Sequence, residues 1–125
     1  MTEAATDGGE RLTATPAGVT LGLLDAIADG AARNYVVQMR AGRFHGFVVR
    51  HGDTVHGYVD RCPHMGLPLA QALDQYLTPD GGLIACSWHA ALFRIDDGAC
   101  VGGPCGGASL TPWPVHVENG RIVTG

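Results

Sequence analysis

The stretch Asn34–Asp60, NYVVQMRAGRFHGFVVRHGDTVHGYVD, decides the fold. It divides into the runs Asn34–Arg40, Phe44–Arg50 and Thr54–Asp60, rich in Val, Phe and Tyr, which favour a pleated, half-buried surface. Ala41-Gly42-Arg43 suits a hairpin loop and His51-Gly52-Asp53 a second turn. In the third run Val55, Gly57 and Val59 alternate with other residues and share one face of a strand. Towards the C-terminus the same style continues in Leu83–Cys86, Ala91–Ile95, Trp113–Glu118 and Arg121–Thr124. Asn119-Gly120 joins the last two, and this dipeptide is the strongest short hairpin signal. Towards the N-terminus, Leu21, Leu24 and Ala28 lie at helical spacing and predict a helix of about two turns over Leu21–Ala28. Residues 1–11 read as a flexible polar tail and 12–125 as one domain. Seven short strands with little helix predict an all-β protein, an antiparallel sandwich or barrel.

Composition agrees with that class. A chain of 125 residues has room for one modest core. Hydrophobic residues make up 46% and charged residues 16%, which excludes an intrinsically disordered chain. Nineteen Gly and seven Pro suit turns between strands better than long helices. The net charge is −4 and none of the eight basic residues is Lys, so there is no basic patch for nucleic acid. The apolar stretches Val19–Leu24 and Ala85–Phe93 are far shorter than the roughly 20 residues of a membrane-spanning helix. Met1–Glu10 carries no base and no apolar run, so no secretory signal is expected and the cytoplasm is the default compartment. Four Cys in a cytosolic chain point to metal or redox chemistry before a disulfide framework.

The residues that carry chemistry are Cys62-Pro63-His64 and Cys86-Ser87-Trp88-His89. Each short segment follows a predicted strand and brings one thiolate and one imidazole. A structural zinc is possible with two Cys and two His, but zinc-finger spacing groups like with like. One of each per loop suits a two-iron cluster in which one iron takes both thiolates and the other both imidazoles.

At this point the chain resembles a Rieske protein of the soluble ferredoxin type. The resemblance spans roughly Leu12 to Gly125. It rests on Cys62-Pro63-His64-Met65-Gly66, on Cys86 to Phe93, on Asp97-Gly98, and on Gly103-Pro104, which matches the family's loop over the cluster. It implies a Rieske-type antiparallel β fold with an inserted cluster-binding part, here residues 61–94, on a base formed by 12–60 and 95–125. It implies one [2Fe-2S] cluster, with Cys62 and Cys86 on the inner iron and His64 and His89 on the outer. Two neutral imidazoles in place of two thiolates make the cluster less negative. They raise its potential to about −150 to +300 mV, against about −400 mV for all-Cys plant-type ferredoxins.

The family's high-potential members carry an extra Cys in each loop and Ser and Tyr hydroxyls against the cluster sulfurs. Leu67 and Trp88 stand at the first pair of places here, and Ala91 and Phe93 at the second, so neither a bridge between the loops nor those hydroxyl donors can form. The expected potential is therefore at the low end. This predicts a one-electron carrier rather than an enzyme, taking an electron from a flavin-dependent reductase and passing it to a terminal oxygenase or a related oxidoreductase. The alternatives are a Rieske-fold small subunit of a larger, nitrite-reductase-like complex and a zinc-stabilised binding module. Ala90 replaces the Gly that the family usually has after the second His, and Thr78-Pro79-Asp80-Gly81-Gly82 reads as a turn that absorbs a long spacer.

The remaining candidates have plainer readings. Cys100 and Cys105 read first as small thiols packed beside the cluster loop, with a redox-labile disulfide as the alternative. His45, His51, His56 and His116 read as polar strand positions, and Trp88 as a packing aromatic. Arg61 and Arg94 flank the ligand loops and read as solvated surface charge, with docking of an acidic partner as the sharper possibility.

Overall fold

Phe44, Gly46 and Val48 alternate with His45, Phe47 and Val49, so a strand through them is apolar on both faces and belongs between two layers. That is its place in the computed structural model, which describes residues 11–12, 14–61, 69, 74–86, 91–103 and 108–125. Among these residues lie ten strands: β1 Arg11–Leu12, β2 Thr20–Leu23, β3 Ala32–Met39, β4 Gly42–His51, β5 Thr54–Val59, β6 Leu83–Ala85, β7 Leu92–Arg94, β8 Cys100–Gly102, β9 Val115–Glu118 and β10 Arg121–Thr124.

The strands form three sheets. In the first, β4 pairs antiparallel with β3 along one edge, while its other edge takes β1 in parallel and β5 antiparallel. The second sheet has the order β2-β10-β9 and the third β6-β7-β8, both antiparallel. Phe44 and Val48 of β4 with Val55 and Val59 of β5 pack on Trp113 and Ile122, filling the space against the second sheet. The opposite face, Phe47 and Val49 with Tyr58, packs on Ile84, Cys86, Ala91 and Phe93 of the β6–β7 hairpin. The first sheet is thus the middle layer, and its second face carries the region that follows.

Trp113 fixes the first interface. Its ring centroid lies 4.6 Å from that of Phe44, and its backbone N–H bonds to the Gly57 carbonyl at 2.9 Å. A Cβ on Gly57 would run into the Trp113 carbonyl, and one on Gly46 would meet the Trp113 ring at 2.6 Å. Both glycines are required by close approach.

The expected β3–β4–β5 meander is present, with corrections at its turns. Met39 pairs with Gly42, so the first hairpin turns on Arg40-Ala41 alone, not on Ala41-Gly42-Arg43. Asn119 and Gly120 take φ 53° and 75° in the predicted last hairpin. The predicted helix over Leu21–Ala28 is absent. Leu23 and Gly22 pair with Arg121 and Ile122 of β10, and only a single 3-10 turn, Leu24–Ala26, remains. Pairing with β10 takes the backbone groups that a helix would have used, and Gly22, at φ 144°, is a poor helix former. β1, β2 and β8 add to the seven strands expected. No helix among the described residues is long and apolar enough to cross a membrane.

Candidate metal centre

β5 ends at Val59, and the chain then runs through Asp60 and Arg61 towards the first expected ligand segment. Asp60 is 5% exposed and is held by its backbone N–H on the His45 carbonyl at 2.9 Å. Its carboxylate Oδ1 accepts the backbone N–H of Leu69 at 2.9 Å, and Leu69 is fully buried. One carboxylate therefore joins the chain just before residue 62 to the chain just after residue 68. Its other oxygen, Oδ2, accepts the Tyr76 hydroxyl at 2.8 Å and Asn34 Nδ2 at 3.3 Å, while Asn34 Nδ2 also donates to the Tyr76 oxygen at 2.8 Å. The Tyr76 ring stacks on Phe47 of β4 with centroids 4.2 Å apart. Burial first, and then the charge of Asp60, push the Tyr76 hydroxyl well above its ordinary value, so it stays a protonated donor.

The second expected ligand segment follows β6. Ile84 pairs with Phe93 and Ala85 with Leu92, and the Cys86 N–H bonds to the Ala91 carbonyl at 2.9 Å. Cys86 is 1% exposed, outside any disulfide, at the last closed rung before residues 87–90. Tyr76 reaches this hairpin too, since its carbonyl accepts the Ala85 N–H at 2.8 Å. The turn after it is the one expected: Asp80 Oδ1 accepts from Thr78 Oγ1 at 2.6 Å and from the Gly82 N–H at 2.9 Å. Those two bonds hold the Asp80 carboxyl below the usual range.

Of the four expected ligands, Cys86 is described; Cys62, His64 and His89 lie outside the described residues, as do Leu67, Trp88, Ala90, Pro104 and Cys105. Ala91 and Phe93 are fully buried beside Cys86 in the same apolar cluster. A buried thiol where the hairpin closes, with a second Cys and two His on the flanking segments, is a donor set that fits a two-iron cluster. Cys100 is disulfide-bonded rather than a thiol, contrary to the first reading of that residue. Arg94 is ion-paired with Asp96 and Asp97, both at 3.3 Å, so its charge is matched within its own turn; Arg61 is exposed. His51 and His116 are exposed, while His45 and His56 are half-buried on strands. Asp60, Tyr76 and Asn34 were not singled out from the sequence. The available signal is an acid two residues before Cys62, at the end of the strand-like run Thr54–Asp60.

The Rieske [2Fe-2S] domain family matches residues 25–115. The fold is similar to the ferredoxin of carbazole 1,9a-dioxygenase from Nocardioides aromaticivorans IC177, at a TM-score of 0.68 and 22% identity, covering 88% of this chain and 98% of that one. It is similar to a chain in the complex of reduced oxygenase and oxidized ferredoxin in carbazole 1,9a-dioxygenase, at 0.69 and 22%, covering 89% and 94%. A Sphingomonas yanoikuyae B1 ferredoxin follows at 0.64 and 21%, covering 86% and 96%. The search of curated proteins returned no match. With the match spanning most of the chain, this protein belongs to the Rieske [2Fe-2S] domain family.

Proposed function

We propose that this chain is a one-electron carrier of the Rieske ferredoxin type, in which Cys62 and Cys86 bind the inner iron of a [2Fe-2S] cluster and His64 and His89 the outer. The observation that carries the reading is Cys86, buried and outside any disulfide where the β6–β7 hairpin closes, three residues before His89. When bound, the cluster takes up and releases one electron. The protein's part is to deprotonate and hold two thiolates, to keep two imidazoles neutral, and to exclude water from the inner side. Phe47, Ile84, Ala91 and Phe93, all fully buried, supply that dry wall.

Ala91 and Phe93 carry no hydroxyl, so neither strengthens the reduced state by donating a hydrogen bond, which supports a potential at the low end of the Rieske range. Such a carrier accepts an electron from a flavin-dependent reductase in the cytoplasm and delivers it to a terminal oxygenase. The test is a redox titration of the purified protein. A midpoint in the lower part of about −150 to +300 mV is expected, and one well above ~0 mV would contradict the donor role.

A further inference from the structure

We propose that Asp60 is a positioning residue for the cluster: its carboxylate clamps the two ends of the first ligand segment, and its buried negative charge, two residues before Cys62, lowers the reduction potential. The inference rests on the carrier reading above and assigns this chain's own residues to tuning it.

The clamp is direct. Asp60 stands before residues 62–68, and its Oδ1 holds the N–H of Leu69 just after them. The charge is the second part. Among the described residues, the donors to Asp60 are the Leu69 N–H, the Tyr76 hydroxyl and the Asn34 amide, all neutral. Among the described residues, no Arg or His lies within ion-pair distance of it, and it is the one buried acidic side chain. Away from water such a charge acts over a longer range than one on the surface. Adding an electron places more negative charge in its field, so the field disfavours reduction. Hydrogen bonds to the carboxylate spread its charge, and the chain from Asn34 through Tyr76 to Asp60 does this cooperatively.

Two variants separate charge from architecture. Asp60→Asn keeps a carbonyl oxygen for the Leu69 N–H and removes the charge. Tyr76→Phe keeps the charge and the ring stack on Phe47 and removes one donor. The readouts are midpoint potential, iron per chain and the EPR line shape at pH 7. In Asp60→Asn the reduction equilibrium is expected to move about tenfold towards the reduced form, equivalent to about 59 mV for one electron. In Tyr76→Phe it is expected to move the other way, by less. A merely structural role would move both in the same direction, and that result, or an unchanged potential in Asp60→Asn, would overturn the proposal. Should Asp60→Asn not retain iron, Tyr76→Phe decides alone: a downward shift supports the field, and none or an upward one overturns it. A wild-type protein that holds no cluster overturns the carrier reading and this inference together. A wild-type cluster with unresponsive variants overturns only the inference.

Discussion

The Tyr76 hydroxyl donates to Asp60 Oδ2 at 2.8 Å, while the Tyr76 carbonyl accepts the N–H of Ala85, next to Cys86, at 2.8 Å. One residue thereby ties the strand end that leads to Cys62 to the strand end that leads to Cys86. A hydrogen bond to a buried charged group contributes about 1.5–3 kcal/mol. Tyr76→Phe should lose stability near the lower figure, because Asp60 keeps its other donors, and the urea midpoint should fall accordingly. An unchanged midpoint would mean that the bond does not tie the two ends.

Gly57 and Gly46 are spaces occupied by Trp113. Gly57→Ala drives a Cβ into the Trp113 carbonyl and should cost about 3 kcal/mol, the upper range for overpacking a core. Denaturant unfolding of this variant checks it. A loss under ~1 kcal/mol would show that the β5–Trp113 contact yields easily.

Much of this arrangement is legible in the sequence, and what is not has physical causes. The alternation in Phe44–Arg50 and Thr54–Asp60 places β4 and β5 and both their faces, because the side-chain period of a strand is two. The spacing of Cys62, His64, Cys86 and His89 points to its proposed chemistry, for few groups need one thiolate and one imidazole from each of two loops. Leu21–Ala28 misleads because two apolar repeats satisfy a helix as well as a strand edge, and the choice belongs to β10, a hundred residues away. β8 escapes notice since Val-Gly after Cys100 carries too little apolar surface to read as a strand, yet its pairing with β7 defines it. Asp60 and Tyr76 lie 16 residues apart with no motif between them, and only the folded chain joins them.

The Tyr35 hydroxyl is buried without a hydrogen-bond partner. A buried polar group left unsatisfied costs about 1–3 kcal/mol. Tyr35→Phe keeps the ring against Trp113, 6.5 Å between centroids, and should leave stability unchanged or raise it by about 1 kcal/mol. A clear loss on thermal unfolding would mean that the hydroxyl is bonded in solution.

Alkaline stability should follow the tyrosines. Burial first, then the charges of Asp97 and Asp96, push the Tyr58 hydroxyl up to about 12, and it donates to the Ile95 carbonyl. The folded value lies above the ordinary value of 10.0, so the unfolded chain releases this proton first. The contribution is complete below about pH 10 and is lost as pH rises towards 12. Tyr76 shifts in the same direction. Urea midpoints measured from pH 9 to 12 should fall, and fall less steeply in Tyr58→Phe; equal slopes would exclude Tyr58 as a cause.

Cys62, His64, Cys86 and His89 are proposed to hold one two-iron cluster. The most direct test is the low-temperature EPR spectrum of dithionite-reduced protein, read for nitrogen hyperfine coupling and accompanied by iron analysis. About two irons per chain and a rhombic signal coupled to two imidazole nitrogens, lost on replacing His89, are expected. A colourless, zinc-containing protein, or a cluster with no nitrogen coupling, would contradict this assignment.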